Sequence, residues 1–184
     1  MKLYAFTIVL DGMPWLPSIF TSLNAARIDW HWIIVEGAAM NVLDSSHCRK
    51  ITPRLSEDGT AEFLDMLINH PRVTVLHNDS WDGKVSMCNA AVELIKEPCL
   101  LLQIDSDEMW RADQLEHLCS VSEEWSVGST IRFFCRYFVG PNIITLGDNN
   151  YGNYNYDWTR AWMFQARMKF KSHCPPVLDG ANGP

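Results

Sequence analysis

No stretch of this chain approaches the roughly 20 consecutive apolar residues that a bilayer-spanning helix requires, so a transmembrane segment is not expected. Met1 to Leu10 carries one lysine and a short apolar run that stops at Asp11-Gly12. That run is too short for a signal-peptide core and is followed by no small-residue cleavage site. Basic clusters are also missing. With a formal charge of -7, the chain lacks the positive face that nucleic acid or an anionic membrane would select. Its six cysteines (Cys48, Cys88, Cys99, Cys119, Cys135 and Cys174) never fall at C-x-x-C spacing, and several lie inside apolar runs, where a thiol behaves as a small hydrophobe. They read as reduced and structural, which favours a cytoplasmic location and leaves peripheral membrane attachment open. There is no internal repeat and no low-complexity linker. What is present is 184 residues, 47% hydrophobic and 20% charged, the balance of an ordinary folded domain with a sizeable core.

Hydrophobic patterning divides the chain in two. Leu3 to Leu10, Trp30 to Val35, Arg72 to Leu76 and Cys99 to Ile104 read as short buried strands. Between and after them, Pro14 to Ala26, Thr60 to Asn69, Lys84 to Lys96 and Ala112 to Val121 place apolar residues at helical spacing. Met40 to Gly59 is polar and aperiodic, a loop or short helix. Strands alternating with helices imply right-handed crossovers and a mostly parallel sheet covered on both faces. After residue 120 the rhythm changes: Thr130 to Val139, Asn142 to Leu146 and Ala161 to Phe170 are strand-like, with a Tyr- and Asn-rich loop between the last two. The expected class is α/β, with a Rossmann-like half over 1–120 and a strand-rich half over 121–184, sharing one mixed sheet as a single domain. The loop-like tail from Leu178 fits either a compact enzyme or a piece of something longer.

The fourth strand carries the strongest chemical signal. Its apolar run enters Asp105-Ser106-Asp107-Glu108, and in an open α/β sheet ligands gather outside the carboxyl ends of the strands. Asp105 and Asp107 are two residues apart, so in extended chain both point the same way. Acids this close repel one another unless a cation or hydrogen-bond donors neutralise them. The pattern points to a divalent cation and a phosphorylated ligand. Its plainer alternative is an acidic loop that caps the helix near Ala112.

Placed after three strand and helix units, these acids complete an ordered set. FTIVLDGMPWLPSIFTSL, WHWIIVEGAA, NDSWDGKVSMCNAAVELI, LLLQIDSDEMW and YDWTRAWMFQARMKFKSHCPP follow one another along the chain. The set resembles the GT-A-fold glycosyltransferases of the family 2 type: first strand and turn, second strand with its terminal acid, G-K/R helix start, D-x-D strand end, and a late R-x-W/F…H-x-P pattern. The resemblance covers nearly the whole chain. It implies a GT-A fold, a nucleotide-sugar donor and inversion at the anomeric carbon.

On that resemblance, Asp11 borders the nucleotide and Glu36, where relatives carry Asp, accepts from the base. Lys84 faces the diphosphate from a helix mouth, where an ammonium and free N–H groups suit anions. Asp105 sits by the ribose and Asp107 coordinates the metal. His173 adds an imidazole to Asp105 and Asp107 around Mn²⁺ or Mg²⁺, hard cations suited to oxygen ligands. Asn89 is expected only to buttress the loop. An acceptor hydroxyl needs a general base, for which Asp157 and Asp148 are the candidates, with Glu108 a third if the strand end turns inward. Tyr151, Tyr154 and Tyr156 suggest a mobile acceptor loop, and Trp110, Trp125, Tyr137, Trp158 and Trp162 are candidates for sugar stacking or core. The donor is a nucleoside-diphosphate sugar, a UDP-sugar favoured, and the acceptor is a glycan, lipid or protein. Two other readings stand beside this one. A nucleotidyltransferase would normally open on a glycine-rich G-x-G-T/S-R turn, which LDGMPW lacks. A non-catalytic module of the same fold would bind nucleotide sugar or glycan without turnover.

Overall fold

The computed structural model describes residues 1–41, 52–140, 143–145 and 157–181. Four parallel strands, β1 (Leu3–Val9), β2 (Trp30–Ala39), β3 (Val73–Trp81) and β4 (Cys99–Gln103), alternate with α1 (Leu16–Ala25), α2 (Thr60–Leu67) and α3 (Lys84–Glu93). After α4 (Ala112–Ser122) come β5 (Thr130–Phe134), β6 (Tyr137–Gly140), β7 (Ile143–Thr145), β8 (Asp157–Phe164), β9 (Phe170–His173) and β10 (Pro176–Leu178). The central sheet has the order β3-β2-β1-β4-β8-β5, with β8 antiparallel to β4 and β5 antiparallel to β8. The expected α/β class, with a mixed and mostly parallel sheet built from both halves of the chain, is the one observed.

The β4 strand shows why the sheet is central. Cys99 to Gln103 is buried throughout, as a parallel strand covered on both faces must be. Leu100 and Leu102 pack on one face with Leu16, Ile19 and Leu23 of α1 and Leu115 and Leu118 of α4. Cys99 and Leu101 pack on the other with Met87, Ala91 and Val92 of α3 and with Phe170 and Leu178 of the β9–β10 ribbon. Burial pushes the Cys99 thiol up to about 12 and the Cys119 thiol up to about 11, so both act as apolar filler. Among the described residues no helix is long and apolar enough to cross a membrane.

Strand boundaries depart from the hydrophobic pattern in two places. β2 and β3 continue beyond Val35 and Leu76, through Glu36 to Ala39 and through His77 to Trp81, with a register shift between Glu36 and Ala38. Gly37 makes the shift at φ 129°, and a Cβ there would collide with the Asn78 carbonyl. In the second half, the single expected strand from Thr130 to Val139 breaks into β5 and β6, and β6 pairs with β7 in a separate ribbon. The expected strand from Ala161 to Phe170 becomes β8 and β9, separated by exposed Gln165, Ala166 and Arg167, the last at φ 85°. Apolar residues on both sides of these breaks made each pair read as one strand. Residues 42–51 and the Tyr- and Asn-rich loop at 146–156 lie outside the described residues.

Candidate active site

The chain steps outward from β1 through β2 to β3, then returns to place β4 on the other side of β1. The carboxyl ends of β1 and β4 therefore flank a topological switch point, where open α/β sheets form their ligand crevice. Asp11 lies just beyond β1 and Asp105 just beyond β4. β8 runs antiparallel to β4, pairing Leu102 with Ala161, so its earlier residues pass this same end of the sheet.

Asp105 is held from two sides. Gln103 Nε2 donates to its Oδ1 at 2.9 Å, and Arg160 Nη2 donates to its Oδ2 at 2.7 Å. Arg160 also donates from Nε to Glu108 Oε1 at 2.8 Å, while Glu108 Oε2 accepts from the Asp105 N–H at 3.2 Å. The Trp158 ring lies 5.2 Å from the guanidinium, within cation–π range. Arg160 is 7% exposed, so the donors that neutralise the acids come from inside the protein. Burial pushes Glu108 up to about 7, against the opposing pull of Arg160 and with the Asp105 charge adding to the rise. The helix-cap reading does not describe Asp105: α4 has Arg111 at its N-cap position, where Gln114 accepts from the Arg111 N–H at 3.0 Å. Asp107 is exposed and makes no hydrogen bond or ion pair among the described residues.

The β1 and β2 ends are covered by the chain itself. Asp11, in the left-handed region at φ 57°, takes a bidentate grip from Arg54 and accepts the Glu57 N–H at 3.0 Å. The guanidinium holds its carboxyl below the usual range. The Asp11, Gly12 and Met13 N–H groups donate in turn to Ser56 Oγ, Thr60 Oγ1 and Asp58 Oδ2. Glu36 is fully buried, with Oε1 accepting the Ser56 N–H at 2.6 Å and Oε2 2.9 Å from His77 Nδ1. Glu36, expected to meet the nucleotide base, has both oxygens engaged inside the protein: beside the register shift at Gly37 it pairs with His77 of β3 and anchors residues 54–58 through the Ser56 N–H. Asp11 likewise faces this segment and not an open crevice.

Lys84 is half-buried at the first position of α3, behind Gly83, at the same edge of the sheet. Asn89 ties α3 to the start of β9: Nδ2 donates to the Phe170 carbonyl at 3.0 Å and Oδ1 accepts the Phe170 N–H at 2.7 Å. His173 closes β9 opposite Pro176 of β10, in a ribbon separate from the main sheet. Among the described residues no three His, Cys, Asp or Glu side chains form a metal-holding group. Asp105, Asp107 and His173 are accordingly not brought together as one group there, and the Asp105 oxygens accept from Gln103 and Arg160. Asp157 opens β8 opposite Phe134, and Asp148 lies outside the described residues. Trp162 belongs to the core, and the Trp110 ring meets Phe133 edge-on at 4.8 Å.

Arg160 and Gln103 are the site residues that motif reading missed. Arg160 stood inside the late R-x-W pattern without a role. The signal was a charged residue set between Trp158 and Trp162 and on their face by strand alternation.

No family model and no curated protein matches the chain. Among solved structures it is similar to S. aureus TarS 1-349, at 14% identity and a TM-score of 0.48, over 67% of this chain and 33% of that one. Similarity to the same protein in complex with UDP-GlcNAc has a TM-score of 0.47, at 14% identity over 67% and 32% of the two chains. The chain spans about a third of the length of these structures.

Proposed function

We propose that this chain binds a nucleoside-diphosphate sugar, a UDP-sugar favoured, across the β1–β4 switch point and transfers the sugar to an acceptor hydroxyl with inversion. The observation that carries the reading is Asp105: a partly exposed carboxylate at the carboxyl end of a buried parallel strand, beside the switch point, with both oxygens fixed by protein donors. Lys84, at the N-terminal mouth of α3, would take the diphosphate. Charge builds on the leaving phosphate as the sugar departs, and donors already aimed there stabilise it without reorganising.

A divalent cation belongs to the proposal through Asp107. Mg²⁺-type ions are commonly held by one or two carboxylates plus substrate phosphates, so an exposed carboxylate that is unengaged among the described residues suits one without a cage of protein ligands. When bound, such an ion would supply positive charge to the diphosphate. Asp157 is proposed as the general base, since β8 runs past the carboxyl end of β4 toward its own first residue. The acceptor stays at the level of a glycan, lipid or protein hydroxyl.

Calorimetric titration with UDP, GDP, ADP and CMP, with and without Mn²⁺, tests the reading on wild type and Asp107→Ala. Binding of one nucleoside diphosphate that strengthens with Mn²⁺, and loses that gain in Asp107→Ala, supports it. Absence of binding by all four overturns it. With a donor in hand, Asp157→Asn is expected to abolish transfer and leave nucleotide binding intact; near-normal transfer removes Asp157 from the mechanism.

A further inference from the structure

Gln103 is fully buried at the last position of β4, and its amide is only half satisfied. Nε2 donates to Asp105, while Oε1 has no hydrogen-bond partner among the described residues. The amide cannot simply be turned over, because that would set its oxygen against the Asp105 carboxylate. An unpaired buried acceptor costs on the order of 1–3 kcal/mol. An apolar residue would avoid the cost, and Leu100, Leu101 and Leu102 before it show that the strand accepts one. Arg160 presents a similar problem. Buried ion pairs often do no better for stability than well-packed apolar residues of the same volume, yet a nearly buried guanidinium reaches this strand end. Both residues aim a donor at the same partly exposed carboxylate, one at each oxygen.

We propose that Gln103 and Arg160 are positioning residues that lock Asp105 in the orientation that receives the donor nucleotide, at a cost in stability. The inference rests on the nucleotide-sugar reading and deepens it. A carboxylate free to rotate would have to be ordered when ligand binds; one gripped at Oδ1 and Oδ2 is ordered beforehand, and Asp105 still keeps 33% of its side chain exposed. Glu108 completes the arrangement from behind. It holds the Nε side of Arg160 and accepts from the Asp105 N–H, so the guanidinium cannot swing away from Asp105 Oδ2.

The discriminating variant is Gln103→Leu, which removes the donor and the unpaired acceptor together. Its thermal midpoint is expected to equal or exceed that of wild type, while its affinity for UDP, measured by calorimetry with Mn²⁺, falls about tenfold, the scale of one charge-assisted hydrogen bond. Arg160→Lys, which keeps the charge but loses the paired donors, is expected to lose a similar factor. Asp105→Asn combined with Gln103→Leu should bind no more weakly than Asp105→Asn alone, because both act through one carboxylate. Wild-type affinity in both Gln103→Leu and Arg160→Lys overturns the positioning role and leaves the nucleotide reading standing. So does a Gln103→Leu protein whose loss of affinity adds in full to that of Asp105→Asn. Failure of wild type to bind UDP, GDP, ADP or CMP overturns the proposal together with the reading beneath it.

Discussion

The guanidinium of Arg160 crosses the β4–β8 seam to place Nη2 2.7 Å from Asp105 Oδ2 and Nε 2.8 Å from Glu108 Oε1. One buried cation thus serves two acids that would otherwise repel each other. Arg160→Met is expected to leave both without a countercharge and to cost about 3–5 kcal/mol, the scale for removing one partner of a buried pair. Urea unfolding at pH 8 measures it. At pH 5 the loss should be smaller, because a protonated Glu108 no longer repels Asp105. An equal loss at both values would show that the cost lies in packing alone.

Glu108 makes a separate prediction about pH. Its carboxyl is raised from an ordinary value of 4.5 to about 7, mainly by burial, so the native state holds this proton more tightly than the unfolded chain does. The stabilisation is complete below pH 4.5 and drains away as pH rises through about 7, by an amount on the order of 3 kcal/mol. Glu108→Gln carries no titrating proton and should flatten that part of the stability curve. Urea midpoints between pH 4.5 and 8, taken in the presence of chelator, decide the matter. Parallel curves for the two proteins would remove Glu108 as the source.

The covered end of β1 responds to pH in the opposite direction. Arg54 lowers the Asp11 carboxyl from its ordinary 3.8, so the pair contributes above that value and is lost as pH falls through the lowered one. Asp11 is more than a third exposed, so solvent screening limits the pair to about 1 kcal/mol or less. Asp11→Asn keeps a residue tolerant of the left-handed backbone and removes the charge. It should speed amide exchange at Glu57, whose N–H bonds to Asp11, while Ser56 stays protected by its bond to buried Glu36. Equal acceleration at both amides would show that residues 54–58 come away as one unit.

The parallel strands and their helices were legible because each is an apolar run of the right length and period. The strand-end acids were legible too, as four polar residues closing an apolar strand. What stayed hidden depends on contacts between distant parts of the chain. Nothing near Glu36 says that its carboxylate will anchor Ser56, 20 residues on. Nothing near Asp105 says that its neutralising donor arrives on a strand 55 residues later. The split of β5 from β6 and of β8 from β9 was hidden for a local reason: neither break carries the glycine or proline that usually punctuates strands.

Gly37 links that hidden geometry to a single atom. Its φ of 129° and its approach to the Asn78 carbonyl leave no room for a Cβ, and the register shift it permits keeps Glu36 facing Ser56 and His77. Gly37→Ala must therefore either strain the backbone or move β3 away from β2. The expected cost is about 2 kcal/mol or more, the combined scale of a disallowed backbone angle and a backbone clash. If β3 gives way, the Glu36 bond to the Ser56 N–H weakens as well, and residues 54–58 lose their buried anchor. Amide exchange would then rise at Ser56 in this variant, the site left protected in Asp11→Asn. A Gly37→Ala protein with wild-type stability and a protected Ser56 amide would mean that the bulge relaxes without cost and does not hold the acid in place.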